Sequence, residues 1–229
     1  MTQRTGRRER LDALAVGLLI VCCALWGLNQ VAAKVALAEV PPLTQAALRS
    51  AGAALLVLAW AKARGMTLFE RDATLRGGLL AGALFAGEFA CIFIGLQFTS
   101  ASRMVVFIYL APFVVALGMP LIARGERLRA SQWIGLAAAF VGVAWAFAEA
   151  FSPTAAAPPR QWLGDALGVA AALLWGATTL AIRATPLSTA SAEKTLLYQL
   201  AVSSLLLALA APLAGESWPL RWSVLSLGS

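Results

Sequence analysis

The stretch Ala13-Leu14-Ala15-Val16-Gly17-Leu18-Leu19-Ile20-Val21-Cys22-Cys23-Ala24-Leu25-Trp26-Gly27-Leu28-Asn29-Gln30-Val31-Ala32-Ala33 runs for 21 residues without a charge. At 1.5 Å of helical rise per residue, about 20 apolar residues cross the hydrocarbon core of a bilayer. Arg4, Arg7, Arg8 and Arg10 precede the run, as they would in a secretory leader. A leader's apolar core is only about 7–15 residues long and is not followed by further apolar runs. The stretch is therefore read as a first spanning helix.

Working outward, six more runs have the same character. They are Leu43–Ala61, Leu75–Phe98, Met104–Ala123, Trp133–Phe147, Gly164–Ile182 and Leu196–Ala214. The fifth run is short unless it extends from Ser131 to Phe151, and Leu220–Ser229 reads as the opening of an eighth. Composition agrees, because 60% of the 229 residues are apolar and 13% are charged. Soluble domains carry about 25% charged residues, so a cytosolic enzyme or nucleic-acid binder is excluded. The expectation is an all-α membrane protein, a polytopic helix bundle whose first partner is the lipid bilayer.

The net charge of +7 is explained by topology. With a cytoplasmic N-terminus, 13 Lys and Arg fall on inner segments and four (Lys34, Arg103, Arg160 and Arg221) on outer ones, with Arg49 inside a span. Basic residues concentrate on the cytoplasmic side of membrane proteins, so no nucleic-acid partner is needed to account for them. Histidine is absent, and Cys22, Cys23 and Cys91 lie in apolar runs without a C-x-x-C spacing. No metal site, disulfide or cofactor is expected, and the three thiols are read as buried and inert.

Ala24-Leu25-Trp26-Gly27 returns as Leu173-Leu174-Trp175-Gly176, 149 residues later, and at the same offset Lys34 meets Arg183. Five runs precede the second copy, so it enters the membrane from the opposite side. Inverted repeats of this kind build secondary carriers, whose two bundles rock around a site near the midplane.

Gly95-Leu96-Gln97-Phe98-Thr99-Ser100-Ala101-Ser102 opens a second informative segment. It continues with an apolar helix holding Tyr109 and Pro112, then Gly125-Glu126-Arg127-Leu128, Gln132-Trp133-Ile134-Gly135 and Gly142-Val143. This order strongly resembles the EamA-type domain of the drug/metabolite transporter superfamily. The resemblance implies ten helices in two inverted five-helix repeats, usually in a bacterial inner membrane. It also implies movement of small metabolites, often outward, with amino acids among the cargoes of some members. The chain departs from that pattern by ending after about seven helices. The organisation expected is a first repeat over 1–151, an external linker over 152–161, and an incomplete second repeat over 162–229.

Several polar or aromatic residues lie inside the spans. Glu88 stands halfway along its run, where a charge costs about 2.5–3.5 kcal/mol, so it should face a cavity or a partner. Proton coupling, cation contact, or a neutral carboxyl hydrogen-bonded between helices are all open for it. Arg49, six residues into its run, can recognise a substrate carboxylate, snorkel to the outer interface, or pair with Glu88. Trp26 shares a helical face with Asn29 and Gln30, and Trp175 and Thr178 occupy the repeat positions. These residues line a cavity or bond between helices. Tyr109 precedes Pro112, where a freed carbonyl serves a site or the helix simply kinks. Gly77, Gly78, Gly82 and Gly87 read as helix-packing positions.

A secondary carrier for a small-molecule substrate fits these features. An intramembrane enzyme would need a nucleophile–base pair or paired carboxylates at depth, and no catalytic constellation is found. A structural or assembly subunit without transport activity is the alternative, though it leaves the midplane charge unexplained. No Walker-type loop is present, so an ion gradient or the substrate's own gradient would supply the energy.

Overall fold

The computed structural model describes residues 13–68, 70, 72–123, 125, 127–152 and 159–217. The basic N-terminal residues, Glu126 of the Gly-Glu-Arg-Leu segment, most of the expected linker, and the apolar run after Trp222 lie outside the described residues. Among the described residues the chain is helical, with no strand. The helices are α1 (Ala13–Ala36), α2 (Pro42–Ala63), α3 (Thr74–Phe98), α4 (Ala101–Ile108), α5 (Ala111–Ile122), α6 (Ala130–Ala146), α7 (Gln161–Ala184) and α8 (Ala192–Leu213).

All seven expected spans are present as helix. Six are long and apolar enough to cross a membrane, with α4 and α5 together forming one of them, and α6 is shorter at 17 residues. The chain is a multi-pass membrane protein of the polytopic helix-bundle class. In hydrocarbon each backbone N–H and C=O must find a partner inside its own segment, and only a helix gives it one. The fourth span departs from a single helix. It breaks at Tyr109-Leu110, and Pro112 enters the first turn of α5, where its missing N–H removes no helical bond.

Helix directions follow from residues that meet. Gly78 and Gly82 of α3 lie against Tyr198 and Val202 of α8, so these two helices run parallel. Gly95 and Gly77 of α3 lie against Gly164 and Thr185, at opposite ends of α7, so α3 and α7 are antiparallel. Lys34, near the end of α1, donates to the carbonyls of Leu96 and Thr99 at the end of α3. Accordingly α1 runs with α3 and against α7. Leu43 and Thr44, at the start of α2, donate backbone N–H bonds to the Glu216 carboxylate beyond the end of α8, which makes that pair antiparallel too.

The pairs α1–α2 and α7–α8 are alike in dimensions. Both first helices have 24 residues and both second helices have 22. Each second helix also ends on a glycine at positive φ, Gly65 at 66° and Gly215 at 79°. The next residue closes the same six-residue loop, Met66 N–H to Ala61 C=O and Glu216 N–H to Ala211 C=O, both at 2.9 Å. Only glycine takes that left-handed position without strain, and the bond satisfies a carbonyl the helix would leave bare.

The core lies where α3, α7 and α8 cross. A Cβ built on Gly164 would stand 2.7 Å from the Thr99 Cβ and 2.8 Å from the Gly95 oxygen, so the backbones of α3 and α7 approach to glycine distance. The packing role expected of Gly77, Gly78 and Gly82 holds, against Thr185, Tyr198 and Val202. The cysteines correct the sequence reading. Cys22 and Cys23 are exposed on the first half of α1, which meets few neighbours, and Cys91 on α3 is half-buried.

Candidate functional site

Five helices enclose a cavity of about 620 Å³. α1 contributes Trp26, Asn29 and Gln30, α2 contributes Arg49 and Ser50, and α3 contributes Glu88 with Phe85, Phe89 and Phe93. Trp175, Thr178 and Thr179 come from α7, and Gln199 comes from α8. Seven of the eight residues singled out in the sequence thus meet at one place. The eighth, Tyr109, does not line the cavity. It stands behind the wall, its ring edge-on to Trp26 with centroids 5.7 Å apart.

Trp26 and Trp175 approach each other across the cavity, with centroids 6.0 Å apart and planes inclined at 55°. Phe85, Phe89 and Phe93 recur every fourth residue, so they form one ladder along α3, with ring centroids 4.3 and 5.9 Å apart. The wall is therefore mostly aromatic and apolar, with a few convergent polar groups, which is the usual makeup of a small-molecule pocket.

Glu88 is the fifteenth of the 25 residues of α3 and is only 5% exposed. Its Oε2 has no hydrogen-bond partner among the described residues, and the same holds for the Ser50 Oγ, which is 1% exposed. Buried polar atoms are nearly always paired, so two open acceptors on one cavity mark a place where a donor can sit. The two threonines are already engaged. Thr178 and Thr179 return their hydroxyl protons to the carbonyls of Leu174 and Trp175, at 2.8 and 3.1 Å. Arg49 lines the cavity from α2, on the same space as Glu88. Among the described residues no group of His, Cys, Asp or Glu is arranged to hold a metal.

Ser50, Gln199 and the phenylalanine ladder were not singled out in the sequence. Gln199 had a legible signal: it is the eighth residue of α8, as Arg49 is the eighth of α2. The ladder had a weaker one, since phenylalanines at four-residue spacing also describe an ordinary lipid-facing stripe.

The two ends of the bundle are tied by ion pairs. At one face Arg103, at the start of α4, bonds Asp165 at the start of α7. Thr99 joins the same carboxylate at 2.8 Å. At the other face Lys194 of α8 bonds Asp72, in the turn before α3, at 2.7 Å. The Asp72 carboxyl is held down to about 2, first by Lys194 and then by the Thr74 hydroxyl and N–H.

The EamA-like transporter family model matches residues 13–148, which is more than half of the chain. The chain belongs to the EamA-like transporter family. This is a family of membrane transporters for small molecules, within the drug/metabolite transporter superfamily. A protein of known crystal structure is similar in fold, with a TM-score of 0.62 and 22% identity over 86% of this chain and 70% of the other. At that identity the likeness speaks for the fold alone. No curated protein matches the sequence significantly. The family match covers α1 to α6, and the cavity adds walls from α7 and α8 beyond it.

Proposed function

We propose that this EamA-family chain is a secondary transporter that moves small organic metabolites outward across a bacterial inner membrane, amino acids among them. The carrying observation is the cavity at mid-span, where Glu88 and Ser50 hold open acceptors beside Arg49 and an aromatic wall. A zwitterion with an apolar side chain fits that set. Its carboxylate suits the guanidinium fork of Arg49, and its ammonium suits Glu88. The side chain would lie against Trp26, Trp175 and Phe89.

Alternating access is the mechanism this reading needs. The opposed directions of α1 and α7, and of α2 and α8, support a first repeat over 1–151 and an inverted second repeat from 162 onward. Repeats of opposite direction can expose one midplane site to either side in turn. The excess of Lys and Arg on alternate connections supports a cytoplasmic N-terminus. Outward movement rests on family membership.

Counterflow in proteoliposomes tests the reading. Zwitterionic amino acids with apolar side chains should exchange, while the corresponding amines and acids alone should not. Glu88→Gln keeps the side chain's shape and removes its titration. It should weaken substrate binding by about 10- to 100-fold, the worth of one charge-assisted hydrogen bond, and alter the pH dependence of transport. Unchanged transport by Glu88→Gln from about pH 5 to 8, the range a functional carboxyl would have to shape, would assign Glu88 to packing. Exchange of the amines and acids with no zwitterion moved would sink the substrate class.

A further inference from the structure

A second cavity, of about 650 Å³, lies away from the central one, between α5, α6 and the end of α7. Pro112, Val115, Ala116 and Met119 form one wall. They follow the i, i+3, i+4, i+7 pattern of a single helical stripe, which makes a trough about 10 Å long. The trough is open because α6 stands off from its neighbours. No residue of α6 is buried, and Phe113 of α5 packs against its Trp133 and Phe140.

The two ends of the trough differ in chemistry. Pro112 lies near mid-span, at the apolar end. At the other end Arg127, from the connection between α5 and α6, and Arg183, from the last turn of α7, both line the space. They come together because α5 and α7 run parallel, with Gly176 against Val114 and Gly118 against Leu180, so both helices finish at the same face. Gln132 adds a third polar group. Its Oε1 accepts the Arg129 N–H at 2.8 Å, and its amide nitrogen carries two N–H donors. The surrounding surface is apolar and exposed, with Leu117 at 67% and Leu121 at 85%.

We propose that this trough is a binding site for one acidic phospholipid. The phosphate would sit between the guanidinium groups of Arg127 and Arg183, and an acyl chain would lie along the α5 stripe. Guanidinium binds phosphate oxygens two at a time, and basic pockets between membrane helices at the cytoplasmic level select anionic headgroups. A soluble anion would use the arginines and leave the 10 Å apolar trough unfilled, and a neutral lipid would use only the trough. The site is separate from the transport cavity and shares no residue with it.

The test is native mass spectrometry of the full chain in an uncharged detergent, titrated with phosphatidylglycerol or phosphatidylcholine. One phosphatidylglycerol should be retained with about thirtyfold preference, as two arginines near a membrane phosphate provide. The double variant Arg127→Gln/Arg183→Gln, at two exposed side chains, should fall to the phosphatidylcholine level. Met119→Trp, which fills the trough and leaves both charges, should also lose the lipid. Lys62→Gln, an exposed cation elsewhere, should keep it. Equal retention of the two lipids, or equal loss in Lys62→Gln, would overturn the site. Full displacement by inorganic phosphate, or full binding by Met119→Trp, would overturn the lipid as its occupant.

Discussion

Helices α1 and α7 have the same length, carry the same Trp-Gly pair, and run in opposite directions, yet they are packed very differently. In α7 the buried residues Gly164, Gly168, Ala171, Ala172, Gly176 and Thr178 run almost its whole length, against α3, α4 and α5. In α1 only Gln30, Ala33 and Ala36 are buried, all in the last two turns. The difference is one of neighbours, because α1 is the more apolar of the two sequences and still the less buried. In a bilayer, burial is won by close packing and by polar bonds between helices, since lipid is as apolar as leucine. α7 has three glycines that admit another helix, and α1 meets none.

A large effect should come from closing that approach. Gly164→Ala puts a Cβ 2.7–2.8 Å from the Thr99 Cβ, the Gly95 oxygen and the Thr99 nitrogen, two of them backbone atoms that cannot swing aside. Overpacking of this kind costs about 1–3 kcal/mol, so the melting temperature in detergent should fall clearly. Gly27→Ala meets nothing within 4 Å and should be neutral or slightly stabilising through helix propensity. A Gly27→Ala variant as damaged as Gly164→Ala would mean that α1 is covered in the membrane just as α7 is.

The same contrast appears in how each helix is pinned at its end. Asp165 of α7 holds Arg103 and Thr99, and both members of the ion pair are mostly buried, at 14% and 17% exposure. Arg103→Ala strands that carboxylate, and about 2–3 kcal/mol is expected after allowing for the remaining exposure. Lys34 of α1 instead donates to the carbonyls of Leu96 and Thr99, which water or headgroups can take over. Lys34→Met should cost about 1 kcal/mol. Denaturant titration of both variants measures the ratio, and an inverted order would break the comparison.

Much of this was readable from the chain. The spans were legible because about 20 apolar residues admit one structure in hydrocarbon. The inverted repeat was an expectation drawn from Trp-Gly and from the number of runs between its copies. Most of the cavity was legible because Glu88, Arg49, Asn29 and Gln30 are costly inside a span wherever they point. Ser50 escaped notice because a small hydroxyl inside a helix usually bonds its own backbone, as Thr178 does and Ser50 does not. Tyr109 was placed one layer too close, since a proline marks a break without telling which side of it faces the cavity. The exposed cysteines of α1 show the general limit: an apolar run has the same pattern whether it meets lipid or protein.

A smaller effect is expected where α8 meets α2. The Glu216 carboxylate accepts the N–H groups of Leu43 and Thr44 at 3.0 and 2.8 Å and the Thr44 hydroxyl at 3.0 Å. It supplies from α8 the N-terminal cap that α2, opening on Pro41-Pro42, lacks in its own side chains. Glu216→Gln keeps an acceptor and removes the charge that favours a helix N-terminus. About 0.5–1 kcal/mol should be lost, read as a small drop in melting temperature that salt reduces. A loss as large as that of Arg103→Ala would mean that the contact does more than cap.

The smallest effect is expected at Asp72, which fastens α8 to the start of α3 from an exposed turn. Its carboxylate accepts from Lys194 at 2.7 Å, from the Thr74 N–H at 3.0 Å and from the Thr74 hydroxyl. These bonds hold its pKa at about 2 against an ordinary 3.8. A carboxyl whose pKa is depressed by folding adds stability that is present in full above its unfolded value. That stability is lost as pH falls through the folded value. The contribution should therefore be constant from neutral pH down to about 5 and vanish between about 4 and 2. Asp72→Asn keeps an acceptor for the Thr74 N–H and removes the charge, so its melting temperature should lie slightly below that of the parent at neutral pH and meet it near the acid end. Convergence already at about pH 6, well above the range of any such carboxylate, would mean that Lys194 is not held by Asp72 in the membrane. The start of α8 would then be as loosely fastened as most of α1.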